Sequence, residues 1–236
     1  MNTIEKLGDD ETFRQIVERS IASFKDNELP EVTRYPFYGC DKLADVSIPN
    51  TTTIEGYAFE RYTNLNSLDL LKVTSMGKLE FYGGYLLPEI SFPLLTTVLD
   101  AAAFGCTALS TFNLLKATEI SESVFRNSGL TSTKFPLVIS VAGYAFHDYM
   151  NLSTAKFSKA TSIGDMASQE CFSKASIIVG TKLNDEMAIC ALEGTDSFPS
   201  STGAIYVPYN LQDKYKTATN WSSFVDKIKA YTGETA

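Results

Sequence analysis

Six phenylalanines recur along the chain at a nearly constant interval: Phe37, Phe59, Phe81, Phe104, Phe125 and Phe146, at spacings of 22, 22, 23, 21 and 21 residues. Leu43, Leu65, Leu87, Leu109, Leu130 and Leu152 follow them, and then Ile48, Leu70, Phe92, Leu114, Phe135 and Phe157. A fixed period of this length is the signature of a solenoid, in which each unit buries its apolar side only against its neighbours. The repeat therefore constrains the fold more than any other feature of the sequence.

Within each unit the stretch after the leucine alternates apolar and polar residues, as a half-buried strand does. Leu43-Ala44-Asp45-Val46-Ser47-Ile48, Leu65-Asn66-Ser67-Leu68-Asp69-Leu70 and Leu87-Pro88-Glu89-Ile90-Ser91-Phe92 share this frame. Pro49, Pro93 and Pro136 close three of the units, and a residue without an N–H suits a strand end. Stacking these segments predicts an α/β solenoid with a single parallel sheet of about eight short strands. The frame loosens toward the carboxyl end, where Thr133 and Ala155 take the central apolar position, and the last rung is expected at Ile205–Pro208.

The flanks read as helical caps. Phe13, Ile16, Val17, Ile21 and Phe24 form one stripe of a 3.6-residue period, which predicts an amphipathic helix over residues 10–25. It either covers the open end of the solenoid or assembles copies of the chain into a homo-oligomer. Leu211, Tyr215, Trp221, Phe224, Ile228 and Tyr231 supply apolar faces for a second cap, with Asn220 as a helix-capping candidate. The expected division is residues 1–31 for the first cap, 32–208 for the solenoid and 209–236 for the second cap.

A net charge of −8 argues against a nucleic-acid backbone as partner, since such binders concentrate Lys and Arg. No run approaches the roughly 20 apolar residues of a membrane-spanning helix. Met1–Asp10 has no apolar core of the kind that marks a secretory signal, which leaves localisation open. Cys40 and Cys106 lie three rungs apart, roughly 14 Å at strand spacing, beyond the reach of a disulfide. They read as small buried residues, while Cys171 and Cys190 stay open as a pair. No spacing resembles a zinc site, and no cofactor is implied.

Two surfaces are candidates for binding. Residues between the buried strand positions face outward. Their rows carry Asp45, Asp69 and Glu89 early, Asn113 in the middle, and Lys134 and Lys156 late, a face polarised along its length. Tyrosines gather in the non-strand half of the units, with Tyr38, Tyr57, Tyr82, Tyr85 and Tyr144 as the recognition candidates, because tyrosine gives large contact area at low entropic cost. Asp45, Asp69 and Glu89 also raise a remote alternative, paired-carboxylate glycoside hydrolysis or a weak calcium site. A flat open sheet offers no pocket that excludes water. His147, the only histidine, has no nucleophile motif beside it, so no catalytic residue is assigned.

The pieces Ala58-Phe59, Ala103-Phe104 and Ala145-Phe146, the Phe-Gly-Cys and Phe-x-Gly-Cys turns, and Leu-x-x-Val-x-Ile-Pro resemble BspA-type leucine-rich repeats. Ile205-Tyr206-Val207-Pro208 followed by Tyr215, Asn220-Trp221-Ser222, Phe224 and Ile228 is similar to the terminal segment of that family. The resemblance implies a leucine-rich-repeat fold, no catalysis, and a recognition or adhesion role toward a protein or glycan at a bacterial surface. It also implies an alternative, a structural bacteriophage or prophage virion component assembled through the amino-terminal helix.

Overall fold

The computed structural model describes residues 21–33, 37–78, 81–148, 153–165, 167, 176–179, 190–192 and 203–231. These residues form a succession of coils whose strands all pair in parallel. One side carries Ser23–Lys25, Asp45–Ser47, Ser67–Asp69, Glu89–Ser91, Thr111–Asn113, Ser132–Lys134, Thr154–Phe157, Ser176–Val179, Ile205–Pro208 and Ile228–Tyr231. We number these rungs 1 to 10. A second side carries two-residue strands, from Glu31–Val32 to Ala191–Leu192. The expected sheet is thus present, and a narrower parallel ladder accompanies it. The third side is a tight turn that also bonds coil to coil, as in Phe37 N–H to Ala58 O and Phe81 N–H to Ala102 O.

The turn bonds correct the register of the phenylalanine series. Phe37, Phe81, Phe125 and Phe146 donate to the residue that precedes the matching position of the next coil. By the same rule Phe81 matches Ala103, and Ala103, donating to Val124 O, matches Phe125. The buried column is therefore Phe37, Phe59, Phe81, Ala103, Phe125 and Phe146, each at most 3% exposed. Phe104 lies one residue out of step and is only half-buried. The irregular spacings of 23 and 21 residues are the trace of this slip. A row of left-handed residues marks the same register: Gly39, Arg61, Gly83, Gly105, Asn127 and Asp148 all have positive φ, the conformation that glycine and asparagine tolerate best.

Volume lost at Ala103 is recovered within the same coil. The rings of Phe37, Phe59 and Phe81 stack at centroid distances of 5.0 and 5.4 Å. The column then sidesteps from Phe81 to Phe92 and Phe112, and returns to Phe125 at 5.0 Å in an edge contact. Phe112 stands at the central strand position, where other rungs place Val46, Leu68 or Ile90. In rung 7 the exchange reverses, with Ala155 central and Phe146 and Phe157 packed at 5.8 Å. Constant core volume per coil, rather than one residue type per position, is what the stack preserves.

The wide ladder is interrupted twice, between rungs 3 and 4 and between rungs 5 and 6. At the first break Pro88 sits where Asn66, Ser110 and Ser153 each donate an N–H to the preceding coil, and proline has none to give. At the second, the coil is one residue short. Ser128-Gly129-Leu130 replaces the longer Cys106–Leu109 path, and Gly129 passes so close to Thr107 that a Cβ would lie 2.0 Å from its carbonyl oxygen.

Both ends depart from the expected caps. Most of residues 10–25 lies outside the described residues, but Ser23–Lys25 is a strand paired with Asp45–Ser47, not the end of a helix. Phe24 packs on Phe37 at 5.3 Å. At the other end a helix, Gln212–Thr217, and a 3₁₀ segment, Ser222–Lys227, are present. The tail then returns to the sheet as Ile228–Tyr231, beside Ile205–Pro208, so Ile205–Pro208 is not the last rung. Asn220 caps no helix. It takes a positive φ and its side chain donates to Leu192 O at 2.7 Å. Cys40, Cys106 and Cys190 are buried thiols rather than disulfide partners, and Cys171 lies outside the described residues.

The register assignment separates two phenylalanines by consequence. Phe112→Ala, in the coil that already carries Ala103, is expected to cost about 3–5 kcal/mol. Phe104→Ala should cost no more than about 1.5 kcal/mol, from its partial burial and ring contacts. Urea unfolding followed by circular dichroism measures both, and equal losses would contradict the assigned register.

Candidate recognition surfaces

The wide sheet places the predicted face residues as two outward columns. Asp45, Ser67, Glu89 and Thr111 stand in one, and Ser47, Asp69, Ser91 and Asn113 in the other. Lys134 and Lys156 continue the second column in register with each other. Neighbouring rungs interact along it. Ser47 Oγ donates to Asp69 Oδ2 at 3.3 Å, and Asn113 Nδ2 donates diagonally to Glu89 Oε1 at 3.1 Å. Lys156 is turned toward the carboxyl end, with Nζ 5.7 Å from the ring centroid of Tyr231, a cation–π arrangement.

Asp45, Asp69 and Glu89 stand on three successive rungs. Among the described residues, no group of three His, Cys, Asp or Glu is gathered closely enough to hold a metal ion. One depression does form on this face, a shallow groove of about 440 Å³ lined by Asn113, Leu115, Phe135, Pro136, Lys156 and Ser158. Leu115 and its counterpart two rungs earlier, Leu71, are exposed at 55% and 52%, beside the polar columns.

The tyrosine edge is reorganised by the register. The outer row of the turn side runs Tyr38, Glu60, Tyr82, Phe104, Arg126 and His147. Tyr82 stacks on Phe104 at 5.0 Å and 29°, and Arg126 lies 5.6 Å from the Phe104 ring centroid. Arg126 Nε and His147 Nδ1 each approach Asp148 Oδ2 at 3.0 Å, and Tyr144 lies 5.4 Å from His147. The result is a continuous aromatic and guanidinium row across four coils. Tyr85 and Tyr144 are exposed, Tyr38, Tyr57 and Tyr82 are half-buried, and Tyr62 is wholly interior. Phe104 and Arg126 were not among the residues expected here. Counting 22 residues on from Tyr82, instead of following the phenylalanine label, would have found both.

An interior column that includes polar groups runs beneath this row: Cys40, Tyr62, Gly84, Cys106 and Ser128. The Tyr62 phenol fills the space at Gly84, where an added Cβ would meet its oxygen. Its hydroxyl has no hydrogen-bond partner among the described residues. Burial, with a smaller contribution from Cys106, raises the Tyr62 pKa well above its usual value. Burial likewise pushes the Cys106 thiol from 9.0 up to about 12 and the Cys190 thiol up to about 12. In the carboxyl-terminal cap, Cys190 N–H donates to Tyr215 Oη at 3.0 Å and Trp221 Nε1 donates to Cys190 O at 2.8 Å. Burial raises Tyr215 to about 12 as well. These groups are structural, and neither Cys106 nor Cys190 is poised as a nucleophile.

Each of these acids holds its proton more tightly when folded. Their contribution is fully present below about pH 9 and is lost as pH rises through the raised values, about 12 for Cys106, Cys190 and Tyr215. The denaturation midpoint is therefore expected to fall as pH rises from about 9 to about 12, and less steeply in Cys106→Ala. In a Cys171→Ser background no thiol should react with an aromatic disulfide reagent at about pH 8 until the chain unfolds.

A model of the BspA type leucine-rich repeat region matches in six copies, over residues 30–153 and 118–190. The fold is similar to the crystal structure of a leucine-rich cell surface protein from Faecalibacterium prausnitzii, with a TM-score of 0.52 and 17% identity. That alignment covers 87% of this chain and 77% of the other. No curated protein matches significantly.

Proposed function

The chain belongs to the BspA-type leucine-rich repeat family, and on that premise we propose that it is a non-catalytic recognition module that binds a protein or glycan at a bacterial or virion surface. The observation that carries the reading is the row Tyr82, Phe104, Arg126 and His147, with the exposed Tyr85 and Tyr144 beside it. Aromatic and arginine side chains dominate binding hot spots. Here they are held at fixed spacing by a rigid stack, so little conformational entropy is lost when a ligand orders them. No helix among the described residues is long and apolar enough to cross a membrane.

The intact chain, applied to a glycan and cell-surface protein array, tests the proposal. Tyr85→Ala and Tyr144→Ala are expected to weaken any retained ligand at least about tenfold, with the unfolding midpoint unchanged. Loss on Lys156→Glu without loss on Tyr85→Ala would instead place the ligand on the sheet face.

A further inference from the structure

We propose that the wide sheet face is a self-complementary interface that pairs two copies of this chain face to face. The charged positions of the two columns are arranged about rung 5. Acids occupy rungs 2 to 4 as Asp45, Asp69 and Glu89, neutral Thr111 and Asn113 occupy rung 5, and lysines occupy rungs 6 and 7 as Lys134 and Lys156. Consider a two-fold axis lying in the interface, along the strand direction at rung 5. It sets rung 4 against rung 6 and rung 3 against rung 7 of the other copy. Asp69 then faces Lys156 in the same column, and Glu89 stands diagonal to the Lys134 position. Every such contact occurs twice, as an isologous interface requires. Toward the ends, rung 2 meets rung 8, whose column residue Ile178 is buried, and rung 1 with Lys25 meets rung 9 with Tyr206. The charge pairing is thus confined to rungs 3 to 7, and no like charges are opposed.

The apolar rim obeys the same symmetry. Leu71, Pro93, Leu115, Pro136 and Ser158 form the column just past the strand ends. The axis sets Leu115 against Leu115 of the second copy. It carries exposed Leu71 over the groove between Pro136, Lys156 and Ser158. A protruding leucine thus finds a depression, and an acidic half finds a basic half. A partner of uniform charge would match only one end of the face. The other residues of the columns, such as Ser47, Ser67 and Ser91, are small and let two sheets approach.

The patch measures roughly 30 by 10 Å from strand spacings, below the roughly 800 Å² per partner of a standard interface. The association is therefore weak and driven by charge, exposed at Glu89 and half-buried at Asp69 and Lys156, which salt screens. It is independent of the ligand taken by the turn edge, which stays uncovered in the pair.

Sedimentation velocity of the full chain at about 10–500 µM, in about 0.02 and 0.3 M salt, tests the pairing. A dimer that forms with concentration at low salt and dissociates at high salt is expected. Asp69→Lys and Lys156→Glu should each weaken it at least about tenfold. Mixing the two variants should restore a heterodimer. The introduced lysine of one copy then meets the introduced glutamate of the other, while the remaining native Lys156 meets the remaining native Asp69. Leu115→Glu should weaken the dimer, with no rescue on mixing with either charge variant. A chain that stays monomeric throughout, a dimer indifferent to the charge variants, or a mixture that fails to recover would each overturn the proposal.

Discussion

Everything in this molecule is subordinate to one spacing, the separation of about 4.8 Å between hydrogen-bonded strands. Two ladders and the turn all bond coil to coil, so every residue stands on its equivalent in the next coil at nearly that distance. Flat aromatic rings tolerate such stacking well, as the 5.0 and 5.4 Å separations along Phe37, Phe59 and Phe81 show. The strand spacing thus favours phenylalanine in the column. The column in turn keeps the coils in register where the ladder lapses, at Pro88 and at Gly129.

That hierarchy explains how much of the fold was legible in the sequence and where the sequence misled. The period, the strand frame and the early outward rows were readable because each recurs coil after coil, although at rung 8 the outward position holds a buried Ile178. Phe104 misled because residue type and residue count part company there, and the backbone follows count. The interior requires a fixed volume per coil, and Phe112 can supply what Ala103 withholds. The left-handed row would have settled the matter. Gly83 and Gly105 are 22 residues apart, so the residue two places before Gly105, Ala103, is the true counterpart of Phe81. Local backbone conformation is a stricter marker of register than a side chain whose neighbour can replace it.

The ends were harder to read for a different reason. Helical periodicity in Phe13–Phe24 reports an apolar face, but a residue at the edge of a solenoid also feels an open ladder. Ser23–Lys25 lies along that ladder, and the backbone groups of Asp45–Ser47 that need partners outweigh a weak helical preference. The same demand draws Ile228–Tyr231 back against Ile205–Pro208. Trp221 and Tyr215 then clamp the segment at Cys190 from the side, where neither stripe nor motif announces a contact.

Because the period governs the inside so closely, selection can act on the outside almost freely, one residue per coil per column. A column is therefore a one-dimensional text written at strand spacing. Two surfaces of this chain are far from uniform, and they differ in kind. The turn row gathers aromatic rings and a guanidinium whose charge is already met internally by Asp148, which leaves contact area as its means of recognition. The sheet columns separate opposite charges along the axis, which leaves orientation as theirs. A gradient of charge on a rigid rod discriminates direction before it contributes affinity, and the surface that best matches an acidic-to-basic gradient is the same gradient reversed. A second copy supplies that reversal without any further change of sequence, which is why the arrangement about Asn113 carries more meaning than the charges taken singly.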